Sequence, residues 1–292
     1  KGAFTSREIA IRREAIDYTK RMCDVAHELQ CPVVNIWPGQ DGYDYLLSTD
    51  YDRERGWESE AVHEIAASYP DLRIALEYKP KEPRTHSYLA RMADTLLLAG
   101  ETGCENVGVT IDTGHAFVGG EVVAESIVLA RRAGNKLFHM HFNDNFTAWD
   151  DDMIVGTNHS VAFIEMLFWL DRCEYDGWLS MDQYPYREDA AGAIGESIQW
   201  IVKFNAIQRE HHARIEELTE DEGNAATQAA KAEEARIAGN GVTRLLVENR
   251  LQAAGFDPGR VDGTFDKETR RAIRRFQRNN GIAVTGFVTQ ET

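Results

Sequence analysis

Glu77 and Lys79 stand two apart in the stretch LEYKPKEPRTH, residues 76–86. On an extended chain such a pair points the same way. A carboxylate and an ammonium therefore project together from the end of an apolar run holding Leu72, Ile74 and Leu76. Pro80 and Pro83 forbid a helix there and impose an extended or turned path. Other apolar runs end in the same manner: Asp112 near the end of NVGVTIDTGH, His141 within KLFHMHFND, and Asp182 after DGWLSM. Oxygen and nitrogen ligands from Glu77, Asp112, His141 and Asp182 suit a divalent cation, Mn²⁺ first and Mg²⁺ or Co²⁺ as alternatives, better than a thiolate-bound zinc. Lys81 and Glu82, in the same stretch, read as a solvated loop.

Five short β-branched runs position these residues: 32–39, 72–80, 106–115, 136–144 and 176–185. Segments 7–29, 58–68, 87–101, 121–133, 160–172 and 189–206 place apolar residues three and four apart and read as helices. Strand alternating with helix implies βαβ units and a parallel sheet. In a barrel of parallel strands the carboxyl ends of the strands converge on one mouth. That is where Glu77, Asp112, His141 and Asp182 stand in the expected α/β architecture.

Composition sets the outer limits. The 292 residues are 43% hydrophobic and 27% charged, as in ordinary globular proteins. No apolar run of about 18 residues is present, so neither a transmembrane helix nor a membrane partner is expected. The net charge of −16 argues against nucleic acid as a partner. The four cysteines, Cys23, Cys31, Cys104 and Cys173, form no CxxC and read as reduced thiols, so a cytoplasmic location is expected. The N-terminus lacks both a signal-peptide core and an initiating Met. Charge is uneven: residues 242–292 carry nine Arg/Lys against six Asp/Glu, a balance of +3, which leaves −19 on the rest. Residues 207–241, rich in Ala and Glu, read as a helical or partly disordered linker between units 1–206 and 242–292.

The motifs WPGQDGY (37–43), EYKPKEPR (77–84), DTGH (112–115) and WDDDMIVG (149–156), in this order, resemble the xylose isomerase-like superfamily of (β/α)₈ TIM barrels, and most of all its rhamnose and xylose isomerase members. The resemblance covers residues 1–206 and implies a metal-dependent aldose–ketose isomerase, an intramolecular oxidoreductase acting on a monosaccharide. It implies one cation on Glu77, Asp112, His141 and Asp182, and a second, catalytic cation on His115, Asp150 and Asp152 with Asp112 or Glu77 shared. It further implies that Lys79 hydrogen-bonds the substrate, that Trp37 lines the sugar pocket and that the protein is a homo-oligomer. Asp150–Asp152 read without the resemblance are an acidic run, which Trp149 before and Met153-Ile154-Val155 after it argue into a packed loop. Two alternatives stand beside the isomerase: a single-metal epimerase or C-glycoside-cleaving relative, and a non-catalytic scaffold with a degenerate barrel.

The resemblance has one departure. A (β/α)₈ barrel needs eight strands, and five are legible here, matching strands four to eight. The TIM barrel is thus expected to be incomplete at its N-terminus, either because the chain is a piece, or because another polypeptide completes it, or because the metal half persists in an altered fold. Residues 242–292 resemble the small all-α three-helix peptidoglycan-binding-like domain through LQAAGFDPGRVDGTF (251–265), TRRAIRRFQ (269–277) and GIAVTGFV (281–288). Asp266 reads as a helix N-cap, and Leu245, Leu246, Leu251, Ala254, Phe256, Ile273 and Phe276 as a core. Cell-wall glycan is the partner this part implies, with envelope association as its consequence.

Overall fold

The computed structural model describes residues 2–184, 187–220 and 241–289. Five strands, β1 (Val33–Ile36), β3 (Arg73–Glu77), β6 (Val107–Asp112), β7 (Leu137–Phe142) and β8 (Leu179–Met181), form one parallel sheet in the order β1-β3-β6-β7-β8. Helices return the chain between them: α2 (Tyr51–Ser68) and α3 (Met92–Glu101) on either side of β3, α5 (Val123–Arg132) before β7, and α6 (Ser160–Arg172) before β8. Helix α1 (Ile9–Glu28) precedes the sheet and α7 (Ala190–Glu210) follows it. Five successive parallel strands are a half-barrel of the TIM type.

Period-two alternation decides which side chains meet the site. Along β7, Phe138, Met140 and Phe142 are buried, while His139 and His141 between them are half-buried. Met140 and Phe142 join Ile74, Leu76, Val107, Val109 and Ile111 in one core with Val62 and Ile65 of α2, Leu98 of α3, Ile127 of α5 and Phe163 of α6. Phe163 stacks on Phe204 of α7 with ring centroids 6.2 Å apart, which ties the last helix to the sheet. Each such side chain contributes about 1.5–3 kcal/mol.

The segment read as continuing β6 to His115 does otherwise. The strand stops at Asp112, whose side chain accepts from the His115 N–H and caps a short helix, α4 (Thr113–Val118). A carboxylate at the N-cap satisfies a free helical donor there, and the turn swings His115 toward the site. The stretch read as a solvated loop is also ordered. β4 (Lys81–Glu82) pairs antiparallel with β5 (Thr85–Ser87), and β2 (Gly42–Tyr43) joins them in a small sheet of order β2-β5-β4.

Beyond the half-barrel, α7 runs past residue 206 to Glu210, and α8 (His212–Glu220) occupies the start of the segment read as a linker, whose residues 221–240 lie outside the described residues. The described residues fall into two compact units, Lys1–His212 and Ala213–Thr292. The second contains α9 (Gly241–Ala253) and α10 (Lys267–Asn279). Asp266 caps α10, accepting from the N–H groups of Glu268 and Thr269. Leu251, Ala272, Ile273 and Val288 form its core, with Phe256, Phe265 and Phe276 packed against them. Leu245, Leu246 and Ala254, expected in that core, are exposed instead.

Candidate metal centre

Register brings the strand-end residues together. Glu77 pairs with Thr110, Asp112 with His141, and Phe142 with Met181, one residue before Asp182. As a result Glu77, Asp112, His141 and Asp182 each offer one ligand atom, all within 4.8 Å of one another. A second cluster at the same spacing contains Asp112, His115 and Asp150, so Asp112 belongs to both. Glu77 lies between them: its Oε1 is 3.3 Å from His115 Nδ1 and 3.4 Å from His141 Nδ1. His141 Nδ1 is also 3.0 Å from Asp182 Oδ2, on a side chain that is half exposed.

Asp150 reaches the site because its loop folds back. Asp144 and Met153 exchange both backbone hydrogen bonds. The buried Asp144 carboxylate also accepts from the N–H groups of Asn158 and His159 and bonds His159 Nδ1. This clasp leaves Asp150 Oδ2 3.2 Å from His115 Nε2 and 2.8 Å from Lys79 Nζ. Lys79 also donates to Glu82 in the β4–β5 hairpin, so Glu82 belongs to the site and not to solvent. Asp152 falls in neither cluster. It lines, with Trp37, Lys79, His115, Trp149 and Asp150, a cavity of about 760 Å³ at the mouth of the half-barrel. The Lys79 ammonium lies 5.2 Å from the centroid of the Trp37 ring.

Charge is concentrated here. Burial pushes the Glu77 carboxyl up, but the His115 and His141 imidazoles outweigh it and hold it well below the usual carboxylate range. Burial pushes Asp112 up to about 6, against the pull of His115. Asp152 rises to about 7 through burial and the neighbouring Asp150. Burial pulls both imidazoles down, but Asp182 and Glu77 hold His141 up at about 10, and Asp112 and Asp150 raise His115. The packed carboxylates thus call for positive charge beside them. A divalent cation supplies that charge and leaves imidazole nitrogens free as ligands. The orphaned atoms agree, since Nδ1 of His115, Nδ1 of His141 and Oδ1 of Asp150 are buried with no hydrogen bond of good geometry among the described residues. The residues fit a divalent metal.

Three residues that sequence reasoning passed over hold the carboxylates. Asn35 Nδ2 donates to Glu77 Oε2 at 2.6 Å, and the buried Thr110 hydroxyl donates to Asn35 Oδ1 at 2.6 Å. Asn143 Nδ2 donates to Asp112 Oδ2 at 2.9 Å. A polar residue interrupting an apolar strand was the available signal for Asn35 and Thr110.

The family model described as xylose isomerase-like TIM barrel matches residues 2–204. The chain belongs to that family. A peptidoglycan binding domain model matches residues 240–292. Xylose isomerase of Thermus thermophilus is 29% identical over 198 residues, covering 65% of this chain and 51% of that protein. Xylose isomerase of Dinoroseobacter shibae is 30% identical over 168 residues, 55% of this chain and 38% of that protein. The chain thus spans about half the length or less of these curated relatives. Among solved structures, the fold resembles 3-keto-D-glucoside 4-epimerase from E. coli (TM-score 0.58, 17% identity, covering 69% of this chain and 75% of that one). It also resembles L-ribulose 3-epimerase (TM-score 0.58, 17% identity, 76% of each). At such identities the likeness concerns the fold alone.

Proposed function

We propose that this chain supplies the metal-holding half of a divalent-metal-dependent aldose–ketose isomerase. The observation that carries the reading is the second cluster, Asp112–His115–Asp150, built beside the first and sharing Asp112 with it. A single-metal site has no use for it. Glu77, Asp112, His141 and Asp182 would hold one cation, and His115, Asp150 and Asp112 the other, with Mn²⁺ the expected metal. When bound, such a pair polarises the adjacent carbonyl and hydroxyl of an open-chain sugar, so that hydrogen passes as hydride between C1 and C2.

The chain's own residues do the rest. Lys79 is kept charged by Asp150 and Glu82, which raise it above the usual range against the opposing effect of burial. It is therefore a permanent donor to the substrate oxygen on which negative charge develops. Trp37 presents an aromatic wall beside it. Asp152 stands at the rim of the cavity, as a contact for substrate hydroxyls or for a ligand water. For residues 240–292 the corresponding reading is cell-wall glycan binding, checked by co-sedimentation of the full chain with insoluble peptidoglycan.

Two measurements test the isomerase reading. Two Mn²⁺ per chain are expected; one points to an epimerase, and none to a scaffold. In the active protein, turnover in D₂O decides the chemistry. A hydride shift keeps the migrating hydrogen in the sugar, whereas a carboxylate base shares its proton with water. Solvent deuterium at C1 of the ketose, or at C2 of the aldose in the reverse direction, would overturn the hydride mechanism.

A further inference from the structure

The two clusters depend on the placement of one shared carboxylate, and the structure shows what places it. Asp112 is 1% exposed, and both its oxygens are engaged by donors that no metal can supply: Oδ1 accepts the His115 backbone N–H at 2.8 Å, and Oδ2 accepts Asn143 Nδ2 at 2.9 Å. The first donor comes from α4, the second from the end of β7.

Asn143 is itself fixed. Its backbone N–H donates to the Thr113 hydroxyl at 3.0 Å, and that hydroxyl donates to the Asn143 carbonyl at 2.7 Å. Its side chain is 1% exposed and packs into the space that a side chain at residue 114 would fill. A Cβ on Gly114 would lie 1.9 Å from Asn143 Oδ1 and 2.9 Å from Asn145 Nδ2. Asn145 closes the same corner by donating to the Gly114 carbonyl at 2.8 Å. Glycine at 114 is therefore a demand of Asn143, and the amide has one place to go: against Asp112.

We propose that Asn143 is the positioning residue of the centre, holding Asp112 in the one orientation that serves both clusters. With Oδ2 pinned by the amide and Oδ1 by the α4 N-cap, the carboxylate cannot rotate, and each oxygen keeps a lone pair for metal ligation. Removing the amide frees the carboxylate and leaves Oδ2 buried without its donor. The effect therefore falls on both cations at once. Residues confined to one cluster, such as Asp182, touch only one. Outer partners of metal-binding carboxylates are worth about 10- to 100-fold in metal affinity.

This inference rests on the two-cation reading, and the test keeps the two apart. The full chain is titrated with Mn²⁺ alone, and bound metal is counted in wild type, Asn143→Leu, Asn143→Ala and Asp182→Ala. The leucine variant keeps the side-chain bulk and removes the donor. The alanine variant leaves space instead, so the two do not share a route to misfolding. Far-UV circular dichroism and the metal-free melting temperature identify which variants are folded. In the folded Asn143 variants both ions are expected to weaken together by about 10- to 100-fold. The line shape of bound Mn²⁺ in electron paramagnetic resonance, which reports ligand geometry, is expected to change. Asp182→Ala should weaken one ion only. Two ions bound with wild-type affinity and line shape in either folded Asn143 variant would overturn the positioning role, as would loss of a single ion. Fewer than two ions in wild type overturns the two-cation reading instead.

Discussion

Asp150 is held by two nitrogens of different kinds: Lys79 Nζ at 2.8 Å and His115 Nε2 at 3.2 Å, both on its Oδ2. Lys79 comes from just past β3, His115 from the first turn of α4, and Asp150 from the loop after β7. One oxygen thus joins three consecutive strand ends. It also connects the Lys79 ammonium to the second cluster.

Lys79→Met separates these roles. The variant removes a charged donor and leaves the ligand set intact. We expect two Mn²⁺ per chain to be retained, while turnover in the active protein falls by about 10²–10³. Parallel metal counting and steady-state kinetics check this. Unchanged turnover with both ions bound would remove Lys79 from the chemistry.

Asp112→Ala deletes the ligand that both clusters share. Metal content should drop to background, whereas His115→Ala should retain the ion of the first cluster. Elemental analysis of the dialysed proteins distinguishes the two outcomes.

Gly114→Ala reverses an ordinary expectation. In the interior of a helix this exchange stabilises by roughly 0.5–1 kcal/mol. Here the added Cβ would meet Asn143 Oδ1 at 1.9 Å, inside a fully packed corner. We expect a loss of about 1–3 kcal/mol from overpacking, read as a lowered midpoint in urea, together with weaker Mn²⁺ binding.

Glu58 provides a pH test away from the metal centre. It is fully buried on α2, and neither carboxylate oxygen has a hydrogen-bond partner among the described residues. Burial, with Asp41 and Glu101 adding and Arg55 opposing, pushes its carboxyl from 4.5 up to about 8. A raised carboxylate binds its proton more tightly folded than unfolded. Its contribution to stability is therefore complete below pH 4.5 and is lost as pH rises toward 8. Glu58→Gln keeps the neutral form at every pH. The melting temperature of wild type should fall relative to Glu58→Gln between pH 5 and pH 9, the gap growing with pH. Parallel melting curves would place this carboxyl near its ordinary range.

Much of the architecture is legible in the amino-acid sequence. Strand–helix alternation is a local pattern, readable because apolar positions repeat every two or every three to four residues. Polar residues closing the runs at 77, 112, 141 and 182 could be placed at one mouth because parallel strands present their ends on one side. Where a strand stops is decided by competing local geometries, and so DTGH read as strand although its Asp caps a helix. Lys81 and Glu82 read as solvated because a hairpin of two- and three-residue strands carries no periodicity.

What depended on through-space approach was invisible. Glu82 meets Lys79 only because β4 turns back on β5. Asp150 enters the second cluster and Asp152 stays outside it because the clasp between Asp144 and Met153 sets the path of the loop between them. Asn143 sits beneath Asp112 because two neighbouring strands end in register and residue 114 has no side chain to occupy the space. The sequence by itself determined which residue types stand at the strand ends, because that follows from chain periodicity. Tertiary structure alone decided which oxygen faces which donor, because hydrogen bonds and metal ligation act over about 3 Å and depend on how the chain folds back in space.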